Sequence, residues 1–274
     1  MATRFCDIAP SLRVALWAHG RSRSTAFELA IAAEPSIKVF HEQFVMAGFH
    51  GEERMCKDVF VRGPPVPGYT YQEVKDRLEK TSCPEKSAIF IKDNAGSIGG
   101  RANYIYLPTG YIHTFLIRDP KASIISSYKS VLEDCSRIEC DIRDVPKRTI
   151  EVYSFEANYI LYKYITDELN LPAIIVESDD LIRNPRETLQ KYCLATGLSF
   201  SENFLNWKPG NIHHFPDHMK NPQFVELYFK PAIESSCFQS PTQSPMTLSE
   251  LPDELKQYID HVMPLYREMA DKKL

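Results

Sequence analysis

The sequence has 274 residues, of which 43% are hydrophobic and 25% are charged, and this composition and length suit one large globular domain spanning residues 1–274. The formal net charge of -4 provides no overall attraction for nucleic acid or for an acidic membrane surface, so we expect neither as a partner. No apolar run reaches the length needed to span a bilayer.

Short apolar runs alternate along the chain with segments of helical periodicity. In chain order, these patterns predict strand 13–18, helix 26–33, strand 37–40, helix 71–80, strand 88–91, strand 111–117, helix 120–132, helix 152–168, strand 172–176, helix 185–195 and helix 249–271. Continuous apolar strands that alternate with helices favour a parallel sheet covered on both faces. We therefore predict an α/β fold with a central parallel sheet of about five strands flanked by helices.

Two long segments lack a clear period, and we predict them to be functional loops. Residues 42–67 mix Gly, Pro and polar side chains, and residues 206–247 are rich in Pro, His, Ser and aromatic residues. Aromatic residues of the second segment either line a pocket or complete the core, namely Trp207, Phe215, Phe224, Tyr228 and Phe229. Pro216 interrupts any helix that would align His214 with His218, so we expect no metal site there.

The turn between the first predicted strand and the first predicted helix has the composition of an anion site. A loop that opens a helix presents backbone N–H groups and the positive end of the helix dipole at one spot. The loop includes Gly20, and guanidinium and hydroxyl groups are added to it by Arg21, Ser22, Arg23, Ser24 and Thr25. The spacing of a Walker A loop is missing. We predict a phosphate or sulfate site; the alternative is an ordinary capped helix with solvated arginines.

A second candidate anion site follows the fourth predicted strand. Arg118 leaves the end of that strand, and Ser126 lies about two turns into the next helix. One anion is held between them only if the strand end folds back beside the helix. The alternative is a turn with a local ion pair in Arg118, Asp119 and Pro120.

Together, these features resemble the donor-binding signatures of the sulfotransferase superfamily, whose donor is 3'-phosphoadenosine 5'-phosphosulfate (PAPS). Residues 20–27 are similar to the Pro-Arg-Ser-x-Ser-Thr type of loop for the 5'-phosphosulfate, with Arg21 where many members carry lysine. Arg118 and Ser126 keep the spacing of the pair for the 3'-phosphate. Residues 177–185 look like a third family segment, although its tyrosine and contiguous Glu-Asp are altered. The resemblance implies a P-loop-like fold, PAPS as co-substrate without a metal, and a small-molecule acceptor.

The resemblance also directs attention to the group that takes the acceptor's proton. Many family members use a histidine in a Lys-Thr-His segment, but the corresponding segment here begins with Lys92 and ends with Asn94, which cannot act as a base. Other branches place a glutamate after the second strand, where this chain has Glu42. We expect Glu42 to be the base, with Lys92 as a charge partner that steadies the transferring group and His41 as the reserve base. The alternative is a solvated Glu42 at the mouth of a loop.

Catalysis further requires cations that neutralise the leaving phosphate, and Arg21 and Arg23 are the expected ones. A nucleotide-dependent kinase is a competing prediction, but its Walker A lysine is absent. A non-catalytic protein that binds PAPS or sulfated ligands remains an alternative because the family histidine is missing. The acceptor, and the oligomeric state, stay open at this point.

Cysteine usage and the first residues bear on the compartment. Seven cysteines form an odd number without a CxxC pair, so we expect reduced thiols and neither a disulfide framework nor a zinc site. Residues 1–7 lack the charged start and apolar stretch of a secretory signal. We expect a cytoplasmic protein.

Overall fold

The computed structural model describes residues 12–55, 63–138, 140–239 and 246–274. Within them, five strands form one sheet in which every neighbouring pair is parallel. The strands are β1 (Leu12–Ala18), β2 (Ile37–His41), β3 (Ala88–Asn94), β4 (Ile112–Ile117) and β5 (Ala173–Glu177), in the spatial order β2-β3-β1-β4-β5. The predicted α/β class and the parallel sheet of about five strands are confirmed.

Helical segments connect the strands and cover the sheet. The α-helices are α1 (Ser24–Ala32), α2 (Gln43–Val45), α3 (Tyr71–Lys80), α4 (Pro120–Ile138), α5 (Val145–Tyr153), α6 (Phe155–Lys163), α7 (Ser178–Arg183), α8 (Pro185–Thr196), α9 (Pro222–Phe224), α10 (Lys230–Ile233) and α11 (Asp253–Ala270). Three π-helical turns occur at Met46–His50, Tyr164–Glu168 and Val225–Phe229. Short 3-10 turns occur at Ala95–Ile98, Arg101–Tyr106, Ile142–Asp144, Glu202–Leu205, Asp217–Lys220 and Leu248–Glu250.

Strand β1 lies at the centre of the sheet and divides the core into two layers. Its side chains alternate between faces, as the period of two in a strand requires. Ala15 and Trp17 belong to the hydrophobic cluster that includes α11 residues. Val14 and Leu16 belong to the opposite cluster, with Phe27 of α1. Burial on both faces explains why this strand has an apolar sequence throughout.

The register of the sheet places the carboxyl ends of its strands along one edge. Ala18, the last residue of β1, is opposite Asn94 of β3 and Leu116 of β4, and His41 of β2 is opposite Lys92. In open parallel sheets, ligand sites form in the crevice outside this edge. The segments that follow β1, β2, β3 and β4 therefore meet at one location, which holds the residues singled out in the sequence.

Several observed elements differ from the predicted ones for local reasons. Residues after Glu42, predicted as a loop, form α2 and a π-helical turn, because the Asp93 carboxylate accepts the first N–H groups of that helix from Phe44 and Val45. The predicted helix 152–168 is divided at Ser154, whose φ is 49°. Parts of the two predicted loops lie outside the described residues.

The cysteines correct one expectation. Cys135 and Cys140, near the end of α4, form a disulfide, so these two thiols are not reduced; the helix ends between them and the chain brings their Cα atoms to 5.0 Å. Cys83, Cys193 and Cys237 are free, and Cys6 and Cys56 lie outside the described residues. Across the described ranges, none of the helices combines the length and the apolar character that crossing a membrane demands.

Candidate active site

A cavity of about 1000 Å³ opens at the carboxyl edge of the sheet. Its wall contains the first turn of α1, Glu42 at the end of β2, Asp93 and Asn94 at the end of β3, and Arg118 after β4. Ser126 of α4 and residues from 45–55, 150–157 and 219–239 also line it. The two candidate anion sites and the candidate base therefore face one cavity.

The loop after β1 is held against the helical segment around Ser154. The backbone N–H of Gly20 donates to the carbonyl of Tyr153 at 3.0 Å. A Cβ atom at position 20 would lie 2.5 Å from the carbonyl oxygen of Val152, so glycine is required by this close backbone approach. This contact positions the loop that carries Arg21 and Arg23.

Helix α1 begins without a side-chain cap. Arg23 is its N-cap residue, has a left-handed conformation with φ of 67°, and makes no capping hydrogen bond with its side chain. The first turn contains no acidic residue either. Ser24, Thr25 and Ala26 line the cavity, so uncapped N–H groups and the positive end of the helix dipole face it. Such a helix end is a ready site for phosphate or sulfate.

The two predicted anion sites are joined through Arg21. Its Nε donates to the Ser126 hydroxyl at 3.1 Å, and Arg118 Nη1 donates to the Arg21 carbonyl oxygen at 2.8 Å. Arg118 and Ser126 thus both contact Arg21, the first at its backbone and the second at its side chain, and both line the cavity. Burial, together with the neighbouring charges of Arg23 and Arg21, lowers the pKa of Arg118 to about 10.

Two residues of the loop have protein partners of their own. Arg23 forms an ion pair with Asp179 and donates to the Ser178 hydroxyl at 3.2 Å. Ser22 is fully buried, and its hydroxyl donates to the carbonyl of His19 at 2.8 Å. The Ser22 side chain thus braces the loop from inside, whereas Arg21, Arg23, Ser24 and Thr25 line the cavity.

Glu42 directly follows β2 and lines the same cavity. Its backbone is left-handed, with φ of 43°, and its N–H donates to the Lys92 carbonyl at 2.8 Å. The Glu42 carboxylate pairs with the Lys92 ammonium. Glu42 lines the cavity, while Lys92 is 1% exposed and lies behind the wall. Lys92 is therefore connected to the cavity through its ion pair with Glu42.

Behind Glu42 is a buried polar cluster that the sequence did not reveal. Glu28 of α1 is fully buried and accepts a 2.7 Å hydrogen bond from His41 Nδ1. Its carboxylate is also 3.7 Å from Lys92 Nζ and 3.2 Å from His214 Nε2. His41 is fully buried and does not line the cavity. Glu28 occupies a helical position amid alanine and leucine, so only tertiary packing identifies it.

The ionisation of this cluster follows from burial and mutual charge. Burial alone would raise the pKa of Glu28, but the Lys92 ammonium and the hydrogen bond from His41 lower it. Burial lowers the pKa of His41 despite the nearby carboxylates of Glu28 and Glu42. For Lys92, the attraction of Glu42 and Glu28 outweighs burial and raises the pKa. At neutral pH the Glu28 carboxylate and the Lys92 ammonium are therefore charged, and His41 is neutral.

Three further polar residues of the cavity wall were missed in the sequence. Asp93 accepts from the N–H groups of Phe44 at 2.6 Å and Val45 at 3.1 Å, and burial raises its pKa to about 8. His19 is buried, and this burial lowers its pKa to about 3. His50 pairs with His218 at 3.1 Å between ring nitrogens. The sequence does carry a signal for two of them, a polar residue at the end of an apolar run. Asp93 lies near the end of β3, and His19 directly follows β1.

Apolar side chains form another part of the cavity wall. They are Val45, Phe49, Met55, Met219 and Phe224. Tyr228 and Phe229, two of the aromatic residues noted in the sequence, also line it. Trp207 and Phe215 instead complete buried clusters beside α1 and α10. Within the described ranges, no group of three or more His, Cys, Asp or Glu side chains has the arrangement of a metal site.

Comparison with known proteins identifies the family. A family model described as a sulfotransferase domain matches residues 12–273. No curated protein matches the chain. Among solved structures, a sulfotransferase from Alicyclobacillus acidocaldarius is 12% identical with a TM-score of 0.51, covering 96% of this chain and 97% of that one. The sulfotransferase domain of the Synechococcus PCC 7002 olefin synthase is 16% identical with a TM-score of 0.48, covering 93% and 95%. Because the family model spans nearly the whole chain, the protein belongs to the sulfotransferase family.

Proposed function

We propose that this protein transfers the sulfuryl group of PAPS to a hydroxyl or amine of a small-molecule acceptor. The observation that carries the proposal is the shared cavity: the uncapped start of α1, with Arg21 and Arg118, lines the same space as the Glu42 carboxylate. The cavity thus offers cationic groups that suit a phosphosulfate anion and a carboxylate that suits the proton of an acceptor.

The donor end fits a molecule with two separate anionic groups. The guanidinium of Arg21 contacts the Ser126 hydroxyl and the Tyr228 carbonyl, both uncharged groups, and Arg118 contacts the Arg21 carbonyl. These two cations are therefore available to an anionic ligand in a largely desolvated place, where charge-assisted hydrogen bonds are strong. We assign the 5'-phosphosulfate to the N–H groups of α1 with Arg21, Arg23, Ser24 and Thr25.

We assign the 3'-phosphate to Arg118 and Ser126. Gly20 and Ser22 contribute to the same loop through its backbone, since glycine allows the close approach to Val152 and Ser22 braces the turn. The cavity of about 1000 Å³ is large enough for a nucleotide with an acceptor beside it.

The chemistry assigned to the chain is in-line transfer with general-base catalysis. Glu42 accepts the proton of the acceptor as the new oxygen–sulfur or nitrogen–sulfur bond forms. The electron pair of the broken sulfur–oxygen bond stays on the phosphate of the leaving nucleotide, where Arg21 and the α1 N–H groups stabilise it. Lys92 orients the Glu42 carboxylate through their ion pair.

Substitution of the base tests this assignment. The Glu42→Gln variant should lower kcat about 10²–10⁴-fold, because the amide cannot take the proton, with little change in the KM for PAPS. Turnover is measured with PAPS and a panel of phenols, alcohols and amines. Glu156→Gln is a matched control, since Glu156 lines the same cavity but pairs with His261, and its kcat should stay near that of wild type.

Two outcomes would redirect the proposal. Full activity in Glu42→Gln, with activity lost in His41→Ala, would transfer the role of base to His41. Tight binding of 3'-phosphoadenosine 5'-phosphate without sulfated product from any acceptor would favour a non-catalytic binding protein.

A further inference from the structure

Three ionisable side chains form a line from the protein interior to the cavity. Glu28 Oε2 lies 2.7 Å from His41 Nδ1, and the other ring nitrogen, His41 Nε2, lies 3.6 Å from Glu42 Oε2. Glu28 and His41 are fully buried, and only Glu42 reaches the cavity. The imidazole thus stands between two carboxylates, one hidden and one facing the substrate.

The hydrogen bond to Glu28 determines the state of the ring. A carboxylate beside Nδ1 favours the tautomer in which Nδ1 carries the proton. His41 Nε2 then keeps its lone pair, and this buried atom has no hydrogen-bond partner in the described structure. Its nearest acidic neighbour is Glu42, at a distance slightly too long for a hydrogen bond. Such contacts often tighten when substrate binds.

Aromatic packing fixes the orientation of the ring. The imidazole of His41 stacks on Phe215 with ring centroids 3.5 Å apart and an interplanar angle of 8°. Phe229 contacts the ring edge-on at 5.1 Å between centroids. Rotation of His41 would lose both contacts and the hydrogen bond to Glu28. The ring is therefore held with Nε2 directed at Glu42.

By formal charge, the cluster of Glu28, His41, Glu42 and Lys92 can take up one proton and become neutral. Two carboxylates, Glu28 and Glu42, lie around one ammonium, Lys92, and burial favours the neutral form of the His41 ring, so a formal count leaves one negative charge in excess. His214, the other imidazole on Glu28, contacts the second carboxylate oxygen, away from Glu42. Burial raises the pKa of Asp93 to about 8, so this nearby acid adds little negative charge at neutral pH. Uptake of the acceptor's proton makes the cluster neutral.

We propose that Glu28 and His41 form a proton relay behind the base, an inference that rests on the proposed function. As the acceptor's O–H or N–H bond breaks, its proton passes to Glu42 Oε2 and from there to His41 Nε2. The imidazolium that forms keeps its Nδ1–H bond to Glu28, whose negative charge stabilises it. Glu42 returns to its ionised state, and release of the proton to solvent after product departure completes the cycle. Both relay residues act through Glu42 as positioning residues.

Kinetics of Glu28→Gln test the relay. Glutamine keeps the volume and an oxygen that accepts from His41 Nδ1, but it lacks the charge that stabilises the imidazolium. We expect kcat to fall at least about 10-fold and the acid limb of its pH profile to move about 1 unit to lower pH, since a nearby negative charge is lost. The KM for PAPS should stay within about 3-fold of wild type.

His214→Gln is the matched control, because it removes the other imidazole on Glu28 without touching the path to Glu42. Its acid limb should coincide with that of wild type, and thermal melting of both variants reports any general loss of stability. An acid limb that stays in place in Glu28→Gln, or that moves equally in His214→Gln, overturns the relay. Absence of product from wild type would instead contradict the proposed function.

A second readout needs no turnover. Nitrogen NMR of labelled histidine distinguishes the two neutral tautomers and the imidazolium. The relay requires His41 in wild type at pH 7 to be neutral with its proton on Nδ1. A proton on Nε2, or a permanently charged ring, would leave no site for the arriving proton and would overturn the relay.

Discussion

Three charged residues around the cavity have left-handed backbone conformations that favour glycine. Their φ angles are 61° at Arg21, 67° at Arg23 and 43° at Glu42. Each such conformation costs a non-glycine residue about 1–2 kcal/mol, and the surrounding structure must impose it. At all three positions the turn directs a charged side chain into the cavity wall. Backbone strain is thus concentrated at residues to which we assign the donor and the proton.

Arg118 provides a test at the scale of one residue. Arg118→Met keeps much of the buried apolar stem but removes the guanidinium, so the affinity for 3'-phosphoadenosine 5'-phosphate should fall about 10–100-fold, as loss of a charged hydrogen bond predicts. Isothermal titration calorimetry measures the Kd. Arg101→Met is a control, because Arg101 is exposed and pairs with Glu168, and its Kd should be unchanged. Equal Kd values for wild type and Arg118→Met would remove Arg118 from the donor site.

The sequence indicated the residues that follow strands, but not those that pack behind them. Arg21, Arg118 and Glu42 come within three residues of the end of an apolar run, and parallel pairing brings such positions to one edge. Glu28 was not predicted because its partners lie 13 and 64 positions away, at His41 and Lys92. A long-range ion pair leaves no local pattern, so its members appear only when the fold is known.

At the scale of elements, the strands were predictable and the breaks between helices were not. Each apolar run corresponds to an observed strand, because burial on both faces imposes an apolar sequence. The division at Ser154 has no local signal of the usual kind, such as glycine or proline. The helix after Glu42 was predicted as a loop, since its first N–H groups are capped by Asp93 of another strand and not by a neighbouring side chain.

The close approach of the loop after β1 to α5 makes a second prediction. Gly20→Ala would place a methyl group 2.5 Å from the Val152 carbonyl oxygen, so the loop must shift, at a cost of about 1–3 kcal/mol. We expect lower thermal stability together with weaker binding of 3'-phosphoadenosine 5'-phosphate.

Gly110→Ala separates these two effects. Gly110 has φ of 76° with no neighbour within 4 Å of an added Cβ atom, so alanine strains the backbone far from the loop. This variant should lose stability and keep the wild-type Kd in calorimetry. A Gly20→Ala protein that binds the nucleotide as tightly as wild type would show that the position of the loop does not govern donor binding.

At the scale of the whole molecule, the C-terminal region packs against β5, the outermost strand on one side of the sheet. The N–H of Leu274 donates to the Ile175 carbonyl of β5 at 3.0 Å, and the Tyr266 hydroxyl donates to Glu177 at 2.6 Å. Residues 219–239 line the cavity opposite the loop after β1. The cavity is therefore assembled from both ends of the chain, and for this reason its shape and acceptor-binding wall could not be predicted from sequence.

Binding of the donor nucleotide is the premise on which every assignment of the cavity depends. A ligand that binds only the folded state stabilises it by about 2.7 kcal/mol at 100 times its Kd, which for a chain of this size raises Tm by roughly 5 °C or more. Thermal melting with saturating 3'-phosphoadenosine 5'-phosphate should show this rise, and adenosine 5'-phosphate, which lacks the 3'-phosphate, should show a smaller one. An unchanged Tm with millimolar 3'-phosphoadenosine 5'-phosphate would contradict the assignment of the cavity as a PAPS site.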